Sequence, residues 1–106
     1  MDYEQIVFNI IIYAGNARAK AYEALSEAKK GDFKRAEALL KEAEDEIIKA
    51  HDIQNDLIAR ETGGNGINTT LLLVHAEDHL MNAITSRDLI KEIIDLCKKI
   101  FEKSIL

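Results

Sequence analysis

Apolar residues recur along this chain at the three- and four-residue spacing of α-helices, in three long stretches parted by two short polar breaks. The first helix is predicted from about Tyr3 to Lys30, the second from Phe33 to about Arg60, and the third over residues 69–103. Asp2 stands where it can cap the first helix. Gly31 stops that helix after Lys29 and Lys30, whose positive charge suits the C-terminal end of the helix dipole. Asp32 can cap the second helix, where Phe33, Ala36, Leu39, Leu40, Ala43, Ile47 and Ala50 share a face while Lys34, Lys41, Glu42, Glu46 and Lys49 point mostly elsewhere. Gly63-Gly64-Asn65-Gly66 is the glycine-rich interruption before the third helix, for which Asn68 is the expected cap. Two short connections between helices of similar length predict an all-α, antiparallel three-helix bundle, one domain over residues 1–106.

The third stretch is more apolar than such a bundle requires. Leu71, Leu72, Leu73, Val74, Ala76, Leu80, Met81, Ala83 and Ile84 surround most of its circumference and leave a narrow polar sector near Glu77, Asp88 and Asp95. This helix is therefore expected to pack against another subunit as well. Its run from Leu71 to Met81 also contains His75, Asp78 and His79. At ~100° per residue the two histidines lie ~40° apart, while Asp78 lies ~60° to the other side of His75 and joins Leu71, Val74 and Met81. An unpaired carboxylate in an apolar stripe costs several kcal/mol, by order of magnitude, or takes up a proton. A cation, or a symmetry axis gathering one Asp78 from each subunit around a cation, would offset that cost; in a monomer Asp78 would simply face solvent.

Composition narrows the function classes. The chain is 47% hydrophobic and 31% charged, and it contains no proline, which suits long uninterrupted helices. A formal net charge of -5 argues against broad attraction to nucleic acid or anionic membranes. No segment reaches the ~20 apolar residues of a membrane span, so a cytoplasmic protein is expected. The single Cys97 excludes an internal disulfide framework and reads as a small buried hydrophobe.

The histidines admit more than one chemistry. One nitrogen of an imidazole can attack phosphorus while the other is held by a hydrogen bond that selects the tautomer, and a second histidine one turn away can tune that reaction or bind phosphate. A satisfied core histidine is the plainer reading of His75. The His75-x-x-x-His79 spacing also suits two metal ligands, with His51 beside Asp52 as a third, but Ala76 stands where the helical zinc-protease pattern requires Glu. The glycine-rich interruption lacks the Lys-Ser/Thr ending of a phosphate-binding P-loop and reads as a helix-helix connection.

Four segments together carry a family resemblance over nearly the whole chain: Ile11-Ile12-Tyr13-Ala14-Gly15-Asn16-Ala17-Arg18, Gly31-Asp32-Phe33, Ala50-His51-Asp52-Ile53-Gln54, and Leu71 through Met81. The sequence resembles the lactose/cellobiose-type enzyme IIA family of the bacterial phosphoenolpyruvate-dependent sugar phosphotransferase system. That resemblance implies a homotrimer in which His75 is the phosphorylated residue and Asp78 from all three subunits binds a cation, with magnesium expected, on the threefold axis. It further implies that His75 accepts phosphate from the histidine phosphocarrier protein HPr and passes it to a cysteine of the cognate enzyme IIB. Sugar, a β-linked disaccharide such as lactose, cellobiose or chitobiose, is phosphorylated later during uptake through membrane enzyme IIC. Cys97 is not the family's acceptor, which belongs to the partner.

Polar side chains from neighbouring helices or subunits are then expected to support the transferred phosphate, with Gln54 the leading candidate and His79 and Asn16 behind it. Gln54 and Asn16 can equally serve only to satisfy interhelical polar groups. Apolar residues such as Leu72 would form a shallow platform on which HPr and enzyme IIB dock in turn. The family commonly has Gln where this chain has Glu77, which lies ~160° around the helix from His75. The competing class is a noncatalytic helical interaction module or, beyond that, a His/Asp metal-binding helical protein.

Overall fold

The computed structural model describes residues 2–64 and 69–105. They form three helices and, among the described residues, no strand: α1 is Tyr3–Lys29, α2 is Phe33–Thr62 and α3 is Leu71–Ile105. Local chemistry accounts for their ends. The Asp2 carboxylate accepts the Gln5 backbone N–H at 2.8 Å, and Asp32 accepts that of Arg35 at 3.1 Å, so each aspartate satisfies a helix-start amide. At the end of α1, Gly31 N–H donates to the Ala28 carbonyl and Asp32 N–H to that of Glu27, both at 3.0 Å. Gly31 has φ 88°, a left-handed conformation that closes this turn.

Four helix ends differ by one or two residues from the expected positions, including those of α1 at Lys29 and α3 at Ile105. α2 continues to Thr62, whose hydroxyl donates to the Ala59 carbonyl at 3.1 Å. α3 starts at Leu71 because Thr70 caps it: the Thr70 hydroxyl accepts the Leu73 N–H and its carbonyl accepts the Val74 N–H, each at 3.1 Å. Asn68, the expected cap, lies outside the described residues, as do Asn65 to Ile67.

Packing centres on α1, which meets both other helices along its length, whereas α2 and α3 touch each other far less. Its buried face is Val7, Ile10, Ala14, Ala17, Ala21, Ala24 and Ala28, a strict alternation of three- and four-residue steps. Alanine at most of these positions lets the neighbouring backbones approach closely and loses no side-chain entropy on burial. Ion pairs place Lys20 against Glu42 on the α1–α2 face, and across the α2–α3 seam Glu44 meets Arg87 and Glu37 meets Lys98. Numbers rise on α2 as they fall on α3 along these pairs, and Val7 to Ala17 share a core cluster with Ile47 to Leu57 while Ala21 to Ala28 share one with Ala36 to Ala43, so α2 runs antiparallel to both neighbours. The result is a rod of 61 × 20 × 19 Å.

The hydrogen bond to Glu37 holds the Lys98 ammonium above its ordinary value of 10.5, against desolvation, with Glu37, Asp95 and Glu102 adding attraction. A raised lysine stabilises the fold below its unfolded value and loses that contribution only as pH rises through the folded one, so this pair adds no pH dependence near neutrality.

At the hinge, Phe33 and Phe101 pack edge to face with ring centroids 5.2 Å apart, and a Cβ built on Gly31 would lie 2.6 Å from the Phe101 ring. That ring belongs to a side chain able to shift, so the left-handed backbone is the larger obstacle to substitution. Gly31→Ala should lower stability by about 1 kcal/mol or somewhat more in urea unfolding at fixed protein concentration. Gly15, helical and with nothing within 4 Å of an added Cβ, is the contrast: Gly15→Ala should raise stability by roughly 0.5–1 kcal/mol. Equal effects of the two would refute the conformational argument.

Candidate functional site

Three faces of one stretch of α3 separate the polar residues singled out by the sequence. Ala76, Leu80 and Ala83 are buried and Leu72, Leu73 and Ile84 pack against the same core cluster, which fixes the rotation of the helix. That rotation leaves His75 exposed and His79 half-buried one turn further on. Their Nε2 atoms are 3.1 Å apart, and their rings meet edge to face at 4.5 Å. With both rings neutral, a hydrogen bond at this distance needs one Nε2–H and one Nε2 lone pair, so the two histidines must hold opposite tautomers. Such a pair keeps a nucleophilic nitrogen and a hydrogen-bond donor side by side.

His79 also lines an open groove of about 540 Å³ between α1 and α3, together with Ala14, Gly15, Arg18, Ala19 and Tyr22 of α1. The Arg18 guanidinium lies over the Tyr22 ring, 5.5 Å from its centroid. Asn16 is exposed on α1 and, among the described residues, makes no hydrogen bond to either histidine.

Asp78 is exposed on the neighbouring face, with a long 3.5 Å contact from Asn82. It stands among Leu71, Val74 and Met81, which are 86%, 54% and 55% exposed. Within one chain, among the described residues, no group of three His, Cys, Asp or Glu side chains that includes Asp78 is arranged to hold a metal. His51 likewise does not join His75 and His79 in such a group.

Gln54 sits elsewhere than on the histidine face. Its side-chain amide donates to the Glu77 carboxylate across the α2–α3 seam, and its Oε1 lies 3.1 Å from His51 Nδ1. Because the Gln54 nitrogen faces a carboxylate, its oxygen is the acceptor, and His51 Nδ1 carries the hydrogen between them. Glu77 is half-buried here, although the hydrophobic pattern assigned it to the outer polar sector. Two further features escaped sequence reasoning: the Gln54–Glu77 link and the groove in front of His79. A glycine in mid-helix, Gly15, was the available signal for the groove. Cys97, half-buried and free, lies 22 residues along α3 from His75, ~33 Å at the helical rise.

The model of the family PTS system, Lactose/Cellobiose specific IIA subunit, matches residues 5–98. This chain belongs to that family. It is 49% identical over 102 residues to the lichenan-specific phosphotransferase enzyme IIA component of Bacillus subtilis strain 168, covering 96% of this chain and 93% of that protein. The crystal structure of the cellobiose-specific enzyme IIA from Bacillus anthracis superposes with a TM-score of 0.92 at 44% identity, covering 97% of this chain and 95% of that one. The IIA(Chitobiose) chain in the solution structure of its complex with HPr, from the Escherichia coli phosphotransferase system, superposes with a TM-score of 0.84 at 39% identity, over 94% and 97% of the two chains. The relatives' names differ in the sugar they specify, so membership fixes the type of carrier and leaves the sugar open.

The opposite-tautomer pairing is directly measurable. Long-range 1H–15N spectra of the unphosphorylated protein above the histidine titration range should show one of His75 and His79 protonated at Nε2 and the other at Nδ1, and His79→Gln should alter the tautomer balance of His75. Two Nε2–H tautomers in the wild type would contradict the pairing.

Proposed function

We propose that His75 carries the phosphoryl group of a sugar phosphotransferase system, taking it from HPr and giving it to a cysteine of the cognate enzyme IIB. The observation that carries this reading is the exposed His75 Nε2 held 3.1 Å from His79 Nε2, in a chain of the IIA family. In the forward step the Nε2 lone pair of His75 attacks the phosphorus of phospho-HPr. The donor's P–N bond breaks as the new one forms, and its electron pair returns to the donor imidazole. In the second step a partner thiolate displaces His75 in the same way. Neither step requires a buried cavity: in-line access and compensation of oxygen charge suffice. For His75 Nε2 to attack, its hydrogen must reside on Nδ1, which makes His79 Nε2–H the donor of the pair. That hydrogen can turn from the His75 nitrogen to a phosphoryl oxygen as the P–N bond forms. Gln54, turned toward Glu77, supports the seam within its own chain rather than this phosphate. Sugar chemistry follows downstream, with a β-linked disaccharide the substrate class in keeping with relatives named for cellobiose and N,N'-diacetylchitobiose.

The carrier works as a homotrimer in this reading. Leu71, Val74, Asp78, Met81 and Thr85 follow the three- and four-residue steps of a coiled-coil seam and are all exposed, and Leu89, Leu96 and Ile100 extend apolar surface along the same helix. Packing such seams about a threefold axis buries the apolar residues and gathers the Asp78 carboxylates. Their hard oxygen donors suit Mg2+, which would neutralise their repulsion and has no part in moving the phosphoryl group.

With phosphoenolpyruvate, enzyme I and HPr, intact mass under alkaline conditions should show one phosphoryl group per chain. His75→Gln should abolish that labelling while leaving helicity and oligomeric mass intact, and labelling retained at normal stoichiometry would refute the assignment. His79→Gln should slow labelling roughly tenfold or more and still permit it, through loss of one aligned donor.

Assembly has its own test. Asp78→Leu should remain trimeric and lose any dependence on cation, whereas Asp78→Lys should dissociate, by light scattering with and without chelator. A wild-type monomer across a wide concentration range, or an intact Asp78→Lys trimer, would exclude the axial-carboxylate arrangement.

A further inference from the structure

A phosphoryl group on His75 brings negative charge to a site already flanked in sequence by Glu77 and Asp78. The backbone offers little compensation there. His75 lies in the second turn of α3, beyond the helix-start amides, and the Leu73 and Val74 amides are already taken by Thr70. Side-chain cations are equally scarce: α3 has no Lys or Arg before Arg87, and Arg87 is engaged by Glu44 and Asp88. On α2, Lys49 pairs with Glu46 and Arg60 with Asp56; on α1, Lys20 pairs with Glu42.

Arg18 is different. Among the described residues it forms no ion pair, and it lines the same open groove as His79. The α1 surface between them is Ala14, Gly15 and Ala19, too small to screen one from the other. At Gly15 an added Cβ would meet nothing within 4 Å, so this part of the groove is open space. Stacking on Tyr22 engages the face of the guanidinium and leaves its edge N–H groups free, the geometry that suits oxygens of a phosphoryl group.

We propose that Arg18 is the cationic ligand of the phosphoryl group while it resides on His75, binding its oxygens across the groove beside the His79 N–H. The inference rests on the phosphohistidine reading above. Arg18 exchanges no proton and forms no covalent bond; it lowers the charge cost of forming the P–N bond and holds the phosphoryl group in place between partners. The ligand class is a phosphoryl group on imidazole.

The test uses the full chain loaded with phosphoenolpyruvate, enzyme I and HPr, comparing Arg18→Gln and Arg18→Lys with wild type. Labelling rate is one readout; the 31P resonance and the hydrolysis half-life of the isolated phosphorylated carrier, freed of HPr, are the others. Arg18→Gln should still be phosphorylated at His75, roughly tenfold more slowly, with a displaced 31P resonance and a changed half-life. Arg18→Lys, which keeps the charge without the fork, should fall between Gln and wild type. Should Arg18→Gln fail to fold, a wild-type rate and 31P resonance in Arg18→Lys would overturn the proposal, and a shift in both would support it. A slower rate with unchanged resonance and half-life would mean that Arg18 docks a protein partner, which also overturns it. Absence of label from the wild type would instead defeat the His75 reading, leaving the two failures distinct.

Discussion

The alanine seam of α1 is the constraint on which the rest of the architecture depends. Ala14, Ala17, Ala21, Ala24 and Ala28 are buried at alternating three- and four-residue steps, and their small side chains let two helices lie close against a third. Larger residues there would force the backbones apart, at a typical cost of 1–3 kcal/mol for each overpacked position, by order of magnitude. Because α1 takes up most of the packing surface of both neighbours, α2 and α3 build little core with each other. Polar links join them along the seam, Gln54 to Glu77, Glu44 to Arg87 and Glu37 to Lys98, beside the Phe33–Phe101 ring contact. The outer side of α3 is consequently left apolar and exposed. The same close approach brings His79 to the bare surface at Gly15 and so shapes the groove there.

One helix thereby keeps three incompatible requirements apart. His79, bonded to His75, faces the groove beside the small residues of α1. Glu77 faces α2, where the Gln54 amide supplies a hydrogen bond to its carboxylate. Asp78 faces outward along the apolar seam. Angular separation of ~100° per residue lets residues adjacent in sequence serve unrelated ends, provided the helix cannot rotate. Burial of Ala76, Leu80 and Ala83 supplies that restraint.

The limits of sequence reading follow from the same geometry. The caps Asp2, Gly31 and Asp32 were legible because each depends on residues within one turn. The start of α3 was harder, since Asn68 and Thr70 both carry cap chemistry and only the backbone path chooses between candidates. His75 and His79 could be paired in advance because both belong to one helix and their spacing sets their separation. Gln54 was expected either to support the phosphate from a neighbouring helix or subunit or to satisfy interhelical polar groups, and choosing between these needs the rotation of α2 relative to α3, which hydrophobic periodicity within either helix does not supply. Arg18 passed unnoticed for a related reason: its relevance comes from sharing a groove with a residue 61 positions away in the chain.

The acidic residue at position 77 shows how one polar contact can make a charge tolerable near a phosphate carrier. A glutamine there could present either end of its amide to Gln54, leaving the orientation of both side chains open. A glutamate can only accept while it is charged. Gln54 must then turn its nitrogen toward Glu77 and its oxygen toward His51, so the negative charge orders donors that point from His51 through Gln54 to Glu77. The carboxylate is compensated on the α2 side of the helix, while His79 lies on the α1 side. Glu77 thereby becomes part of the α2–α3 seam.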